Sequence, residues 1–418
     1  MKVLLVSTYD VSGGAALAAF RLHDALNAAG MECRMRVVHK GSDAPTVEAK
    51  RTGRELIASR IFHRFIGQRV KRLQKSSNKN LRSLAMFGSG LVDEINRSDA
   101  DVVNLHWMLH EMFSIRDLAR ITKPVVWTLH DMWAFCGAEH VCDDGEDARW
   151  RNGYTKANRP STDSGLDLDR WTWERKRKCW TKPMQMVVPS SWMADCVQSS
   201  QLMNQWPVEV IPTPLNLKVY RPWAKEVARS LFGLPADAPL ILFGAWTGGA
   251  SGNKGSDLLH QALPSIAAKV PRAHAVVFGG SAFEGEKEKS PMPVHFIGAL
   301  RDEYSLAMLY SAADVMVVPS RVESLCQTAL EAQACGTPVV CFDKTGLIDS
   351  VDHGKTGLRV TPYSVEKLSE GICRLLLDPE LRASLGAAGP EHVAQLCAPD
   401  SVARRYQSVF EAAIAAVR

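Results

Sequence analysis

The 418-residue sequence has no apolar run near the ~20 residues that a membrane-crossing helix requires. Its amino-terminal apolar stretch, Val3–Val6, spans four residues, short of the roughly 7–15 in a secretory leader's core. A cytoplasmic protein is therefore expected. Ten cysteines are present, yet none are spaced as CxxC, so a disulfide framework is set aside in favour of a reducing compartment. Cys326, Cys335, Cys341 and Cys373 fall within strand and helix patterns, where a free cysteine packs as a small hydrophobe. Charge of one sign is also scarce: the net charge of +5 is too mild to imply a nucleic-acid partner. No strand-like segment leads into GxGxxG with an acid downstream, which argues against a nicotinamide oxidoreductase. Cys136, His140 and Cys142, with Asp143 and Asp144, lack a fourth ligand at the paired spacing of a zinc site. No metal and no other cofactor are expected.

Short β-rich apolar runs alternating with helical patterns are abundant. Val3–Val6, 101–105, 125–129, 186–188 and 208–211 read as buried strands, with a helix at 15–28 after Gly13-Gly14. A proline-rich stretch (Pro212, Pro214, Pro222) follows, and the pattern restarts. Strands are expected at 240–243, 275–278, 315–318 and 338–341, and helices at 257–268, 304–312 and 327–335. Such alternation implies an α/β chain with parallel sheets covered on both faces. Length favours two domains. These are expected at 1–215 and 216–399, with a helix of about 400–418 packing back on the first. Both would be Rossmann-like, with the ligand beyond the carboxyl ends of the strands, in the cleft between them.

The sharpest motif lies in ADVMVVPSRVESLCQTALEAQACGTPVVCFDKTG, residues 313–346. A strand ends at Pro319, and Ser320–Ser324 form a polar loop before a helix expected to begin near Leu325. Unpaired amides at that start, those of Ser324 to Gln327, suit a diphosphate. Glu323 and Glu331 are separated by seven residues, and a carboxylate can accept two hydrogen bonds from neighbouring hydroxyls. Alone, such a pair reads as solvated acids on an amphipathic helix. Here the turns Gly336-Thr337-Pro338 and His353-Gly354-Lys355-Thr356-Gly357 follow in order.

The ordered set resembles the donor domain of glycosyltransferase family 4, retaining enzymes of the GT-B fold, with two Rossmann-like domains facing across a cleft. The resemblance implies that Glu331 binds the ribose of a UDP- or GDP-sugar and that Glu323 contacts the transferred sugar. It implies that the amides of Ser324, Leu325 and Cys326 hold the diphosphate. It also matches Asn253-Lys254-Gly255 to a phosphate-binding lysine, and Gly279-Gly280 and Phe296-Ile297-Gly298 to loops touching phosphate and base. Two departures stand out. Ser324-Leu325-Cys326 replaces the usual Gly-Phe-Gly-like run. Ala245-Trp246 stands where an arginine is usual, leaving Arg321 as the candidate substitute.

In the first half, Gly13 and Gly14 form either a tight strand-to-helix turn or, by the resemblance, a loop over the donor phosphates. His130, at the end of a buried strand in WTLHDMWAF, matches the family's active-site histidine. The resemblance implies that the donor phosphate deprotonates the acceptor. Residues 131–180 look like an insertion of colanic-acid-type exopolysaccharide enzymes. Their seven aromatics (Trp133, Phe135, Trp150, Tyr154, Trp171, Trp173 and Trp180) would form either an acceptor-binding loop or a small aromatic core. Residues 50–82 carry eleven Lys/Arg against Glu55 alone and read as a basic amphipathic helix, suited to an anionic membrane surface or a lipid-diphosphate acceptor. The expected partners are therefore the nucleotide sugar and a glycan or polyprenyl-diphosphate-linked acceptor, met at the inner face of the plasma membrane. Alternatives are a GT-B nucleotide-sugar epimerase and a non-catalytic GT-B subunit.

Overall fold

The Val-, Ile- and Leu-rich runs become buried strands because neither sheet face is left to water: Val102–Leu105 and Val315–Val318 are buried at every position. The computed structural model describes residues 1–49, 57, 61, 68–108, 112–244, 252–279 and 290–417. The chain divides into two units, Met1–Pro214 with Pro399–Arg418, and Leu215–Ala398.

In the first unit the strands are β1 (Lys2–Tyr9), β2 (Glu32–His39), β3 (Val47–Ala49), β4 (Gln74–Lys75), β5 (Val102–Leu105), β6 (Val125–Thr128), β7 (Ser164–Gly165), β8 (Gln185–Val188) and β9 (Val208–Val210). Among the described residues, seven of them make a sheet in the order β3-β2-β1-β5-β6-β8-β9, parallel throughout. Leaving β1, the strand order reverses direction between β1 and β5. The helix Pro399–Ala415 belongs here: its Val402, Tyr406 and Phe410 pack with Leu5, Val126 and Val187 of the sheet.

The second unit has β10 (Leu240–Gly244), β11 (His274–Phe278), β12 (Val294–Gly298), β13 (Val315–Val318), β14 (Val339–Phe342) and β15 (Gly357–Val360). Their parallel order is β12-β11-β10-β13-β14-β15, the doubly wound pattern whose switch point lies between β10 and β13. At the amino end of β13, buried Asp314 accepts from Lys225 (2.6 Å), Arg229 (2.8 Å) and the Leu240 amide (2.7 Å). That network ties down the amino end of the central strands.

Several elements differ from expectation. β2 hid in ECRMRVVH because its outward positions Glu32 and Arg34 are exposed while Cys33 and Met35 are buried, an alternation of an outer strand. β12 is half-buried along its whole length, as befits a sheet edge, and its carboxyl end holds the Phe296-Ile297-Gly298 stretch expected to be a loop. The basic segment is not one helix to residue 82. Much of it lies outside the described residues, and the helix Gln68–Lys71 gives way to β4 paired antiparallel with β7. Gln74 explains the break, because its side-chain oxygen accepts the Leu168 amide (2.7 Å) and its nitrogen donates to Asp169 (2.5 Å). Arg82 likewise turns inward to Asp169, at 3.1 Å.

Candidate functional site

Each unit carries polar groups at the carboxyl ends of central strands, β10 and β13 in the second and β1, β5 and β6 in the first. In the second unit β10 leads towards Gly252–Lys254, a short 3-10 turn, and then the helix Ser256–Lys269. β13 leads into Pro319–Glu323. Gly255 locks the two loops together: its φ is +66°, and a Cβ there would meet the Pro319 carbonyl oxygen at 1.9 Å, so only glycine fits. Asn253 donates to the Val322 carbonyl (2.9 Å), and the Arg321 amide donates to the Asn253 carbonyl (2.7 Å). This clasp brings Lys254 Nζ to 2.6 Å from Glu323 Oε1. Burial alone would lower the lysine's pKa, but the Glu323 carboxylate outweighs it and holds it above the ordinary value. The ammonium therefore stays charged, with its side chain 41% exposed while that of Glu323 is 11% exposed.

Glu323 is held from behind. Its amide donates to Thr345 Oγ1 (3.2 Å), and its carbonyl accepts the Gly346 amide (2.9 Å). Thr345 is a β-branched residue at φ +57°, a strained conformation that persists only where neighbours impose it. The following helix spans Gln327–Ala334 with Cys326 as its N-cap, starting where the strand–helix alternation set it and two residues after Leu325. Of the three amides assigned to phosphate, that of Cys326 already donates to Ser350 Oγ at 3.1 Å; Ser324 and Leu325 lie in the turn before it. Glu331 is buried inside the helix, where its Oε2 accepts from the Tyr310 hydroxyl at 2.8 Å. The Gly336-Thr337-Pro338 turn supports this contact: the Thr337 hydroxyl donates to the Tyr310 carbonyl at 2.7 Å.

Arg321 forms a two-pronged pair with Asp257, at 2.9 and 2.7 Å, and also donates to the Gly252 carbonyl. It thus braces the clasp that carries Lys254. Gly279 closes the end of β11 by donating to the Gly298 carbonyl (2.7 Å). Gly280, assigned to phosphate, lies outside the described residues, as do Ala245 and Trp246.

In the first unit, Gly13 caps the helix Gly14–Ala28 at φ +90°, directly beyond β1. Beside it, Asp10 accepts from the Gly41 and Ser42 amides (2.8 and 2.9 Å), joining the loops after β1 and β2. His130 stands just past β6, half-buried, with its Nε2 2.9 Å from Nδ1 of His106, which lies just past β5. Asp131 turns the other way. It accepts from Trp107 Nε1 (2.6 Å), the Trp133 amide (2.9 Å) and His140 Nδ1 (2.7 Å), while His140 Nε2 meets Ser83 Oγ at 2.8 Å. His140 is thus engaged within the protein.

The insertion resolves into a core. Trp133, Phe135, Trp150, Tyr154, Trp173 and Trp180 are all buried, and only Trp171 of the seven aromatics is exposed. Lys176 is sunk among them, 3.8 Å from the Trp133 ring centre, donating to the carbonyls of Trp133, Cys136 (3.1 Å) and Gly137 (2.8 Å). Burial pushes its pKa down to about 7. Of the two readings of 131–180, the aromatic core is the one built.

Sequence reasoning missed Asn104, His106 and Tyr310. The first two had a visible signal, polar side chains inside and just after an otherwise apolar strand, DVVNLH. Tyr310 had none, being one apolar position of a helix.

Two Rossmann-like units in one chain, each with its polar groups at the strands' carboxyl ends, define the GT-B class. The model of "Glycosyltransferase Family 4" matches residues 12–219, and that of "Glycosyl transferases group 1" matches 233–392. The chain belongs to glycosyltransferase family 4. A D-inositol 3-phosphate glycosyltransferase of Saccharomonospora viridis is 34% identical over 199 residues, 44% of this chain and 46% of that one. The chain thus spans about half the length of the curated relatives it matches. Among solved structures, sucrose-phosphate synthase from Thermosynechococcus elongatus superposes with a TM-score of 0.68 at 20% identity, covering 99% of both chains. Anabaena HepE in complex with UDP and glucose does so at 0.65 and 16% identity, covering 98% of this chain and 99% of that one.

Proposed function

We propose that the protein transfers a hexose from a UDP- or GDP-linked donor to a sugar hydroxyl on a glycan or polyprenyl-diphosphate-linked oligosaccharide, with retention of configuration. The observation that carries the reading is the Lys254–Glu323 pair, 2.6 Å apart at the switch point between β10 and β13. An ammonium there offers counter-charge to a diphosphate, and the carboxylate beside it accepts from sugar hydroxyls. On binding, the diphosphate takes over the ammonium. Glu331, oriented by Tyr310, receives the ribose hydroxyls. Lys254 and the amides of Ser324 and Leu325 supply the charge stabilisation, so the reading does not call for a metal. In the transfer the sugar's bond to the phosphate oxygen breaks and a bond to the acceptor oxygen forms. The acceptor's proton passes to the departing phosphate.

The acceptor and its setting in polysaccharide assembly at a membrane surface rest on the eleven Lys/Arg of residues 50–82. Among the described residues no helix is long and apolar enough to cross a membrane. Calorimetry with UDP-glucose and GDP-mannose tests the donor site. Glu331→Ala should weaken binding of the accepted donor by roughly 10- to 150-fold, the worth of about 1.5–3 kcal/mol for hydrogen bonds to a charged group. Undiminished binding would remove Glu331 from the ribose.

A further inference from the structure

Asn104 is fully buried in the middle of β5, and its amide can face only one way. Nδ2 lies 3.0 Å from the Val126 carbonyl oxygen and 3.0 Å from Thr128 Oγ1. A carbonyl only accepts, so the group facing it must be the NH2. Asn104 Oδ1 is then the atom 3.0 Å from His106 Nε2, and that ring nitrogen must carry a proton and donate. Burial, with His130 adding to it, holds the pKa of His106 well below the usual histidine value. The ring is neutral, and its lone pair sits on Nδ1.

That lone pair faces His130 Nε2 at 2.9 Å, so His130 donates from Nε2. Burial lowers the His130 pKa to about 4 against the opposing pull of Asp131. His130 is therefore neutral as well, and its own lone pair sits on Nδ1. The far end of the chain is anchored too, since Thr128 Oγ1 lies 3.2 Å from the Tyr406 hydroxyl on the helix Pro399–Ala415. One backbone carbonyl thus sets three polar side chains in sequence: Val126 orients Asn104, Asn104 sets His106, and His106 sets His130.

We propose that Asn104 and His106 are positioning residues that hold His130 as its Nε2–H tautomer, making Nδ1 the acceptor that His130 offers to a substrate hydroxyl. The tautomer follows from the hydrogen-bond chain together with the neutrality of both rings. Its use on a substrate hydroxyl rests on the sugar-transfer reading. A second imidazole is a costly group to bury at this point unless its two nitrogens do different jobs.

Long-range nitrogen–proton NMR correlations on the full chain labelled with 15N-histidine read which nitrogen of each ring is protonated. The wild type should show His130 protonated at Nε2, and a proton on Nδ1 instead would overturn the proposal without any variant being made. His106→Phe keeps a ring but removes the acceptor, and His130 should then shift towards the Nδ1–H form. His106→Asn places an oxygen near the former Nδ1 and should restore Nε2–H. An unchanged His130 in His106→Phe would also overturn it. Release of nucleoside diphosphate from UDP-glucose and GDP-mannose reads the functional half. His106→Phe should lower kcat on the order of 10- to 100-fold, the usual cost of removing a group that orients a functional histidine. KM should change little, and His106→Asn should recover most of the loss. Wild-type kcat in His106→Phe would overturn that half. If the wild type acts on neither donor, the sugar-transfer reading fails, and the tautomer is judged by the NMR result alone.

Discussion

The two sheets of this chain both carry polar groups beyond the carboxyl ends of neighbouring central strands, but the groups are of opposite chemistry. Beyond β10 and β13 stand full charges, Lys254 with Glu323 and Arg321 with Asp257, at partly exposed positions. Beyond β5 and β6 stand two imidazoles that burial keeps neutral, supported by an amide and two hydroxyls. Charges left in reach of water can be handed to a charged ligand at little desolvation cost, since they were never fully desolvated. Neutral groups buried in a directed hydrogen-bond chain cannot answer a diphosphate in that way, but they can present one lone pair in one direction. The fold repeats, and the two halves differ in electrostatic character; in the proposed transfer each would meet a different part of a ligand.

The comparison breaks most visibly at Lys254. Lys254→Ala should weaken UDP and GDP binding by roughly 10- to 150-fold, as for loss of a charge-assisted hydrogen bond of about 1.5–3 kcal/mol. His106→Phe should leave the same calorimetric affinity within error. Equal losses in both variants would mean that the halves do not divide the ligand as described. A smaller effect separates the poles by pH. The His130 pKa falls from 6.5 to about 4 on folding, so the unfolded chain binds the proton first. Stability should therefore be full above about pH 6.5 and decline as the pH drops towards 4. Thermal melts of His130→Gln should show a flatter profile across that window than the wild type, and parallel profiles would contradict the neutral-imidazole account. The smallest effect belongs to Arg321–Asp257, whose side chains are 32% and 52% exposed. Asp257→Asn should cost no more than about 1 kcal/mol of stability by denaturant titration. If it abolished nucleotide binding instead, Arg321 would be a ligand-binding group dependent on that pairing.

Much of the fold was legible because buried parallel strands are apolar at most positions. Val315–Val318 was bounded to the residue, and the helix at 256–269 to within one. Where a strand faced water on one side, as β2 does, the alternation of charged residues concealed it. The basic segment misled for a related reason. Helical spacing of Ile57, Ile61 and Leu73 described a pattern, while the side chain of Gln74, bonded to Leu168 and Asp169 from a distant segment, ended the helix.

The positions of Glu323, Glu331, Lys254 and His130 relative to strand ends and glycine turns were readable from the chain, because such offsets are local. Their partners were not. Tyr310 beneath Glu331, Thr345 behind Glu323 and Asp257 across from Arg321 come from other elements, and a one-dimensional pattern carries no signal for groups that meet across a sheet. The protonation of His130 is the clearest case. The sequence supplies a histidine after a buried strand, whereas the nitrogen that holds its proton depends on a carbonyl at Val126 three contacts away. Local spacing chooses which residue stands at a strand end; only packing between strands chooses which of its atoms can act.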